Sequence, residues 1–186
     1  MTPKFRRVNL FGGPGVGKST MAAGLYSILK QKGIKVELVR EYVKSWALEN
    51  RKIYPFDQMY FFAKQLREED LALRSVDLVV TDSPIDLVIC YAKKYGFPCP
   101  SELQHILQKF EDEYPSLNYY IGRRGSYDKT GRFETFEEAK QMDVTILEHV
   151  VQNCLTKKLI LLKEDGSFVE VFTTIFNDLF GEKNNK

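Results

Sequence analysis

The chain has 186 residues, 44% of them hydrophobic, enough apolar material for one globular domain with its own core. Its 27 basic and 25 acidic residues leave a net charge of +2, which argues against the strongly basic footprint of a whole-domain nucleic-acid binder. Cys90, Cys99 and Cys154 are odd in number and lack a C-x-x-C spacing, so a disulfide framework and a zinc site are both disfavoured.

The basic residues from Met1 to Arg7 lead into a strand without the apolar run and small-residue site of a leader. No stretch approaches the length that spans a bilayer. A cytoplasmic protein, in the host cytoplasm if viral, is therefore expected, with no membrane partner.

The first strand is predicted over 6–11. It runs into Gly12-Gly13-Pro14-Gly15-Val16-Gly17-Lys18-Ser19, the G-x-x-x-x-G-K-[ST] phosphate loop in its strand-to-helix setting. Glycines there admit positive φ, so successive N–H groups turn around an anion. Gly12 through Thr20 are expected to hold ATP, with Lys18 on the outer phosphates and Ser19 on Mg²⁺. The first helix starts at Lys18, buries Met21, Leu25, Ile28 and Leu29, and stops at Gly33.

A second strand over 35–40 ends in Glu41. Strand ends of an open α/β sheet meet in one crevice, so Glu41 is placed to take or orient the proton of an attacking hydroxyl. A helix follows over 57–74. Gln58, Phe62 and Gln65 fall on one of its faces at i, i+4 and i+7, where amides pair with a base edge and an aromatic ring stacks on it. With Glu41 and Tyr42 they form the predicted acceptor side.

The third strand, 76–81, delivers Asp82 beside the phosphate loop as the second Mg²⁺-side group. A helix opens after Pro84. Ser101-Glu102-Leu103-Gln104 and Thr135-Phe136-Glu137-Glu138 read as capping boxes that start two more helices. A fourth strand is predicted over 118–122. Residues 122–134 are polar, glycine-punctuated and basic, and form a predicted lid whose Arg123, Arg124 and Arg132 would spread over the γ-phosphoryl charge. His105 and His149 sit in helical patterns as surface or packing residues. A fifth strand over 158–162 and a helix over 168–180 complete one domain, 1–181, before a tail at 182–186.

Strands alternating with helices predict an α/β fold, a parallel sheet of about five strands covered on both faces. The runs G-G-P-G-V-G-K-S-T, V-R-E-Y-V-K, D-Q-M-Y-F-F-A-K-Q, V-V-T-D-S-P and Y-D-K-T-G-R-F-E-T-F-E-E-A resemble the P-loop nucleoside and nucleotide kinases. Within that group the chain looks like a small bacteriophage family whose functionally defined relatives phosphorylate 5-hydroxymethyluracil in DNA. The resemblance implies an ATP- and Mg²⁺-dependent kinase in DNA modification, with Glu41 as base and Gln58 or Gln65 reading the nucleobase. It also implies DNA phosphate contacts at Lys44, Arg51 or Lys52. Asp82-Ser83-Pro84 departs from the Asp-Arg of thymidylate kinases. The alternatives are a nucleoside, nucleoside monophosphate or ribosylnicotinamide kinase and, from another class, an ATPase switch acting on a macromolecule. A monomer or small homo-oligomer is expected.

Overall fold

The structure, a computed structural model, describes residues 2–123, 127–154, 157–160 and 169–181. The elements in chain order are β1 (Arg7–Phe11), α1 (Lys18–Gln31), β2 (Val36–Val39), α2 (Lys44–Leu48), α3 (Asp57–Leu73), β3 (Leu78–Thr81), α4 (Ile85–Lys94), α5 (Pro100–Glu113), β4 (Ser116–Ile121), α6 (Phe136–Asn153), β5 (Lys157–Ile160) and α7 (Val169–Phe180). The sheet has five strands in the order β2-β3-β1-β4-β5, and every neighbouring pair is parallel. The predicted α/β fold is therefore the observed one.

Alternation along the strands divides the sheet into two unlike faces. Val8, Leu10, Leu78, Val80, Leu117, Tyr119 and Ile121 pack against Met21, Leu25 and Leu29 of α1 and Ile175 and Leu179 of α7. This layer is mostly hydrocarbon, each buried aliphatic side chain contributing about 1.5–3 kcal/mol over its exposed state, and the Tyr119 hydroxyl in it donates to Asp178 of α7 at 2.5 Å. The opposite face, under α3, α4 and α6, mixes apolar patches around Phe11 and Val79 with buried Arg7, Asn9, Ser116 and Asn118. The amide of Asn9 donates to Asn118 Oδ1 at 2.9 Å, and Arg7 pairs with Glu69 at 3.2 Å and with Glu111.

β1 lies at the middle of the sheet, flanked by β3 and β4. The loop leaving β1 thus opens into the crevice at the carboxyl ends of the strands. Asn9 is level with Thr81, and Thr81 with Val39, which brings the residues after β2 and β3 to the same rim.

Several boundaries differ from expectation. β2 stops at Val39, so Glu41 lies two residues beyond the strand, and the short helix α2 that follows carries no sequence signal of its own. α5 begins at Pro100 with no side-chain cap, and Ser101 instead donates to Glu102 at 2.7 Å inside the helix. Proline at the first helical position lacks the N–H that a cap would satisfy. Thr135 does form both halves of its capping box. Cys90 and Cys154 are buried and Cys99 is exposed. Residues 161–162, Phe168 and the 182–186 tail lie outside the described residues. Among the described residues, no helix is long and apolar enough to cross a membrane.

Candidate active site

The phosphate loop adopts left-handed backbone at Gly12 (φ 140°), Gly15 (φ 86°) and Gly17 (φ 96°), conformations that a side chain would strain. At Gly12 a Cβ would also stand 2.7 Å from the Ile121 carbonyl oxygen. Gly17 is the N-cap of α1, so the helix's free N–H groups and positive dipole end face the same space. Lys18 Nζ donates to the carbonyls of Gly12 at 2.7 Å and Gly13 at 3.0 Å. Burial lowers the Lys18 pKa, while Glu41 and Asp82 hold it up and Arg132 adds to the lowering.

Beside the loop lies a cleft of about 1200 Å³, counted out to solvent. Its walls include Lys18, Ser19 and Thr20, Glu41 and Tyr42, Gln58 and Gln65, and Arg132. Eight positions predicted from four separate segments are thus brought together, with Asp82 just behind the wall at Ser83. The Glu41 carboxyl is pushed upward, first by burial and then by Asp82 and Glu134, against the pull of Lys18. Such a carboxyl is better matched to accept a proton near neutral pH than an ordinary one.

Mg²⁺ takes one or two protein oxygens and completes its shell from phosphates and water. The described residues fit that habit: Ser19 and Asp82 flank the loop, while no cluster of three His, Cys, Asp or Glu residues could cage a metal by itself.

Gln58 is 1% exposed and lines the cleft. Gln65, 3% exposed, donates Nε2 to Glu69 at 3.3 Å. Phe62 does not reach the cleft. It packs on Ile85, Ile89 and Leu103, and Phe61 supplies the wall instead, edge-on to Trp46 at 4.8 Å. The reason is helical phase: Phe61 and Phe62 diverge by about 100° on either side of the Gln58–Gln65 line.

The predicted arginines separate. Arg132 lines the cleft and donates Nε to Asp128 O at 2.7 Å. Arg123 is committed to Asp143 of α6 and to the Pro14 carbonyl, with distances of 2.5 and 2.7 Å. It does not line the cleft. Arg124 lies outside the described residues. His105 is exposed, and His149 is buried with its Nε2 3.7 Å from Asp86.

Sequence reasoning missed Glu134, Tyr91, Phe61 and Asp143. Glu134 lines the cleft, is buried and pairs with Lys94 at 2.6 Å. The Tyr91 hydroxyl is held well above its usual pKa, by burial and then by Glu134 and Glu41. Asp143 did leave a signal, as a lone acid between Ala139, Met142 and Ile146 on the buried stripe of α6.

A phosphate loop closing a central parallel strand, with strand-end acids beside it, defines a P-loop nucleotide-binding protein. The chain belongs to the AAA domain family, which matches residues 7–167. Among solved structures it is similar to the NadR protein in complex with NR, with TM-score 0.74 and 17% identity over 98% of this chain and 53% of that one. The NadR protein in complex with NAD and AMP-PNP gives TM-score 0.73 and 16% identity over 98% and 51%. At such identity the likeness is one of fold, and this chain spans about half the length of those two. No protein of curated function matches it in sequence.

Proposed function

We propose that the chain is a Mg²⁺- and ATP-dependent kinase that phosphorylates a hydroxyl of a small nucleoside-like acceptor, of the ribosylnicotinamide or deoxynucleoside class. The observation that carries this reading is the convergence of Lys18, Glu41 and the buried Gln58 amide in one cleft. An amide side chain offers both a donor and an acceptor and so complements another amide, and both a nicotinamide carboxamide and a uracil-type base edge present one. The NR bound in one fold relative supports that size and chemistry of acceptor.

In the proposed reaction the acceptor hydroxyl attacks the γ-phosphorus. A new O–P bond forms, the bond between the γ-phosphorus and the β–γ bridging oxygen breaks, and ADP leaves. Glu41 receives the hydroxyl proton. Lys18, Arg132 and the loop N–H groups oppose the phosphoryl charge. Mg²⁺, held by Ser19 and Asp82, would neutralise the β- and γ-oxygens.

A second reading, phosphorylation of 5-hydroxymethyluracil in DNA, draws support from the chain on either side of Ile53, which itself lines the cleft. There Tyr54 and Phe56 are 56% and 72% exposed, and Arg51 and Lys52 lie over the Trp46 and Tyr54 rings, a mixture suited to stacking bases and holding phosphates.

Transfer of labelled γ-phosphate tests both. Ribosylnicotinamide, deoxynucleosides, monophosphates, unmodified DNA and hydroxymethyluracil DNA are assayed in parallel. Label on a free nucleoside is the expected result. Label on modified DNA alone would install the second reading, and free phosphate unaffected by any acceptor would replace both with an ATPase switch.

A further inference from the structure

Gly13 occupies one of the positions where the phosphate-loop pattern accepts any residue, and its φ is not in the left-handed region. Neither the motif nor the backbone accounts for a glycine there. The surroundings do. A Cβ on Gly13 would stand 2.1 Å from Asp143 Oδ1, 3.0 Å from the Ala139 carbonyl oxygen and 3.0 Å from Arg123 Nη2.

Those same groups hold the loop from outside. The Gly13 N–H donates to Asp143 Oδ1 at 3.1 Å. Arg123 donates Nε to Asp143 Oδ2 at 2.5 Å and Nη2 to Oδ1 at 3.0 Å, and its Nη2 also donates to the Pro14 carbonyl at 2.7 Å. One carboxylate and one guanidinium therefore grip a donor and an acceptor on successive loop residues. Arg123 Nη1 is buried without a hydrogen-bond partner among the described residues. It lies 3.5 Å from where a Cβ on Gly15 would be, so free donors remain against the loop.

We propose that Asp143 is a positioning residue for nucleotide binding. With Arg123 it pins Gly13 and Pro14 to α6, so that the N–H groups of the second half of the loop converge on the triphosphate, and its carboxylate is the reason residue 13 is glycine. The proposal rests on ATP being the ligand of the loop. A fixed array of donors binds an anion more tightly than a mobile one because less ordering is lost on binding.

The test is a double-mutant cycle in ATP affinity, measured by calorimetric titration of Mg-ATP alone, with the nucleotide-free unfolding midpoint as control. Gly13→Ala is expected to weaken ATP binding more than about tenfold, and Asp143→Ala severalfold, with a lowered midpoint because Arg123 loses its mostly buried partner. In the Asp143→Ala background, adding Gly13→Ala should cost less than about threefold. Asp143→Asn keeps an acceptor for Gly13 while losing the ion pair, and should fall between wild type and Asp143→Ala. Equal losses from Gly13→Ala in both backgrounds, or wild-type affinity in the Asp143 variants, would overturn the proposal. Should Asp143→Ala not fold, Asp143→Asn with undiminished affinity would overturn it equally. A wild-type chain that binds no ATP would instead sink the nucleotide reading on which the proposal rests.

Discussion

The backbone N–H of Glu41 donates to Asp82 Oδ1 at 3.1 Å. That bond ties the chain leaving β2 to the end of β3 and fixes two acids at one rim, each acting electrostatically on Lys18. If Glu41 takes the acceptor proton, Glu41→Gln keeps the fold and nucleotide affinity but slows the chemical step by about 10²–10⁴-fold. Single-turnover transfer beside ATP titration separates the two. A defect confined to ATP affinity would remove Glu41 from the role of base.

The acidity of Glu41 gives a second expectation. The base must be ionised, and burial raises its pKa, so kcat/KM should fall as pH drops through a value above the ordinary glutamate pKa of about 4.3. Glu134 contributes to that upward push. Glu134→Gln removes a negative neighbour, so ionised Glu41 becomes easier to form and the acid limb moves to lower pH. The pH profiles of the two proteins decide it, and an unmoved limb would show that Glu134 acts only on Lys94.

Phe61 and Phe62 should part company when changed. Phe62 packs among Ile85, Ile89 and Leu103, so Phe62→Ala is expected to cost about 3–5 kcal/mol of stability through lost burial and the cavity left behind. Phe61→Leu alters a cleft wall and should raise the KM for acceptor while leaving ATP affinity within about twofold. Urea unfolding and steady-state kinetics on both variants give the contrast. Equal stability losses with no change in KM would place both rings in the core alone.

Arg7 and Glu69 are both fully buried and paired. Glu69 also accepts the Ile85 N–H at 2.9 Å and the Gln65 amide, so its carboxylate starts α4 and orients a cleft residue together. Glu69→Ala leaves the Arg7 charge with only Glu111 and should destabilise the protein by about 3–5 kcal/mol. Chemical denaturation measures this directly, and a loss under about 1 kcal/mol would mean that Glu111 suffices for Arg7.

The sheet was legible in the sequence because strands covered on both faces leave dense apolar runs, and the phosphate loop because its chemistry lies in eight contiguous residues. Glu41 and Asp82 were legible as acids at strand ends, and their joint rim follows from parallel register. What escaped depends on long-range approach. Asp143 meets Gly13 across 130 residues, and Glu134 meets Lys94 across 40. No local periodicity encodes either meeting. The Phe62 error has a smaller cause: spacing at i, i+4 and i+7 names a helical stripe but leaves open which flank the neighbouring helix covers.

The two faces of the sheet also set how freely the chain can vary. Beneath α1 and α7, apart from the Tyr119 hydroxyl bond to Asp178, the sheet's contacts are mostly hydrocarbon and non-directional, so volume-preserving exchanges among Val, Leu and Ile should be absorbed by repacking. Beneath α3 and α4, Arg7, Asn9, Glu69 and Asn118 hold one another through donors and acceptors that a neutral exchange would orphan. A library of random substitutions should therefore show a lopsided map, permissive on one side of the molecule and nearly closed on the other, with the closed side carrying the floor of the cleft.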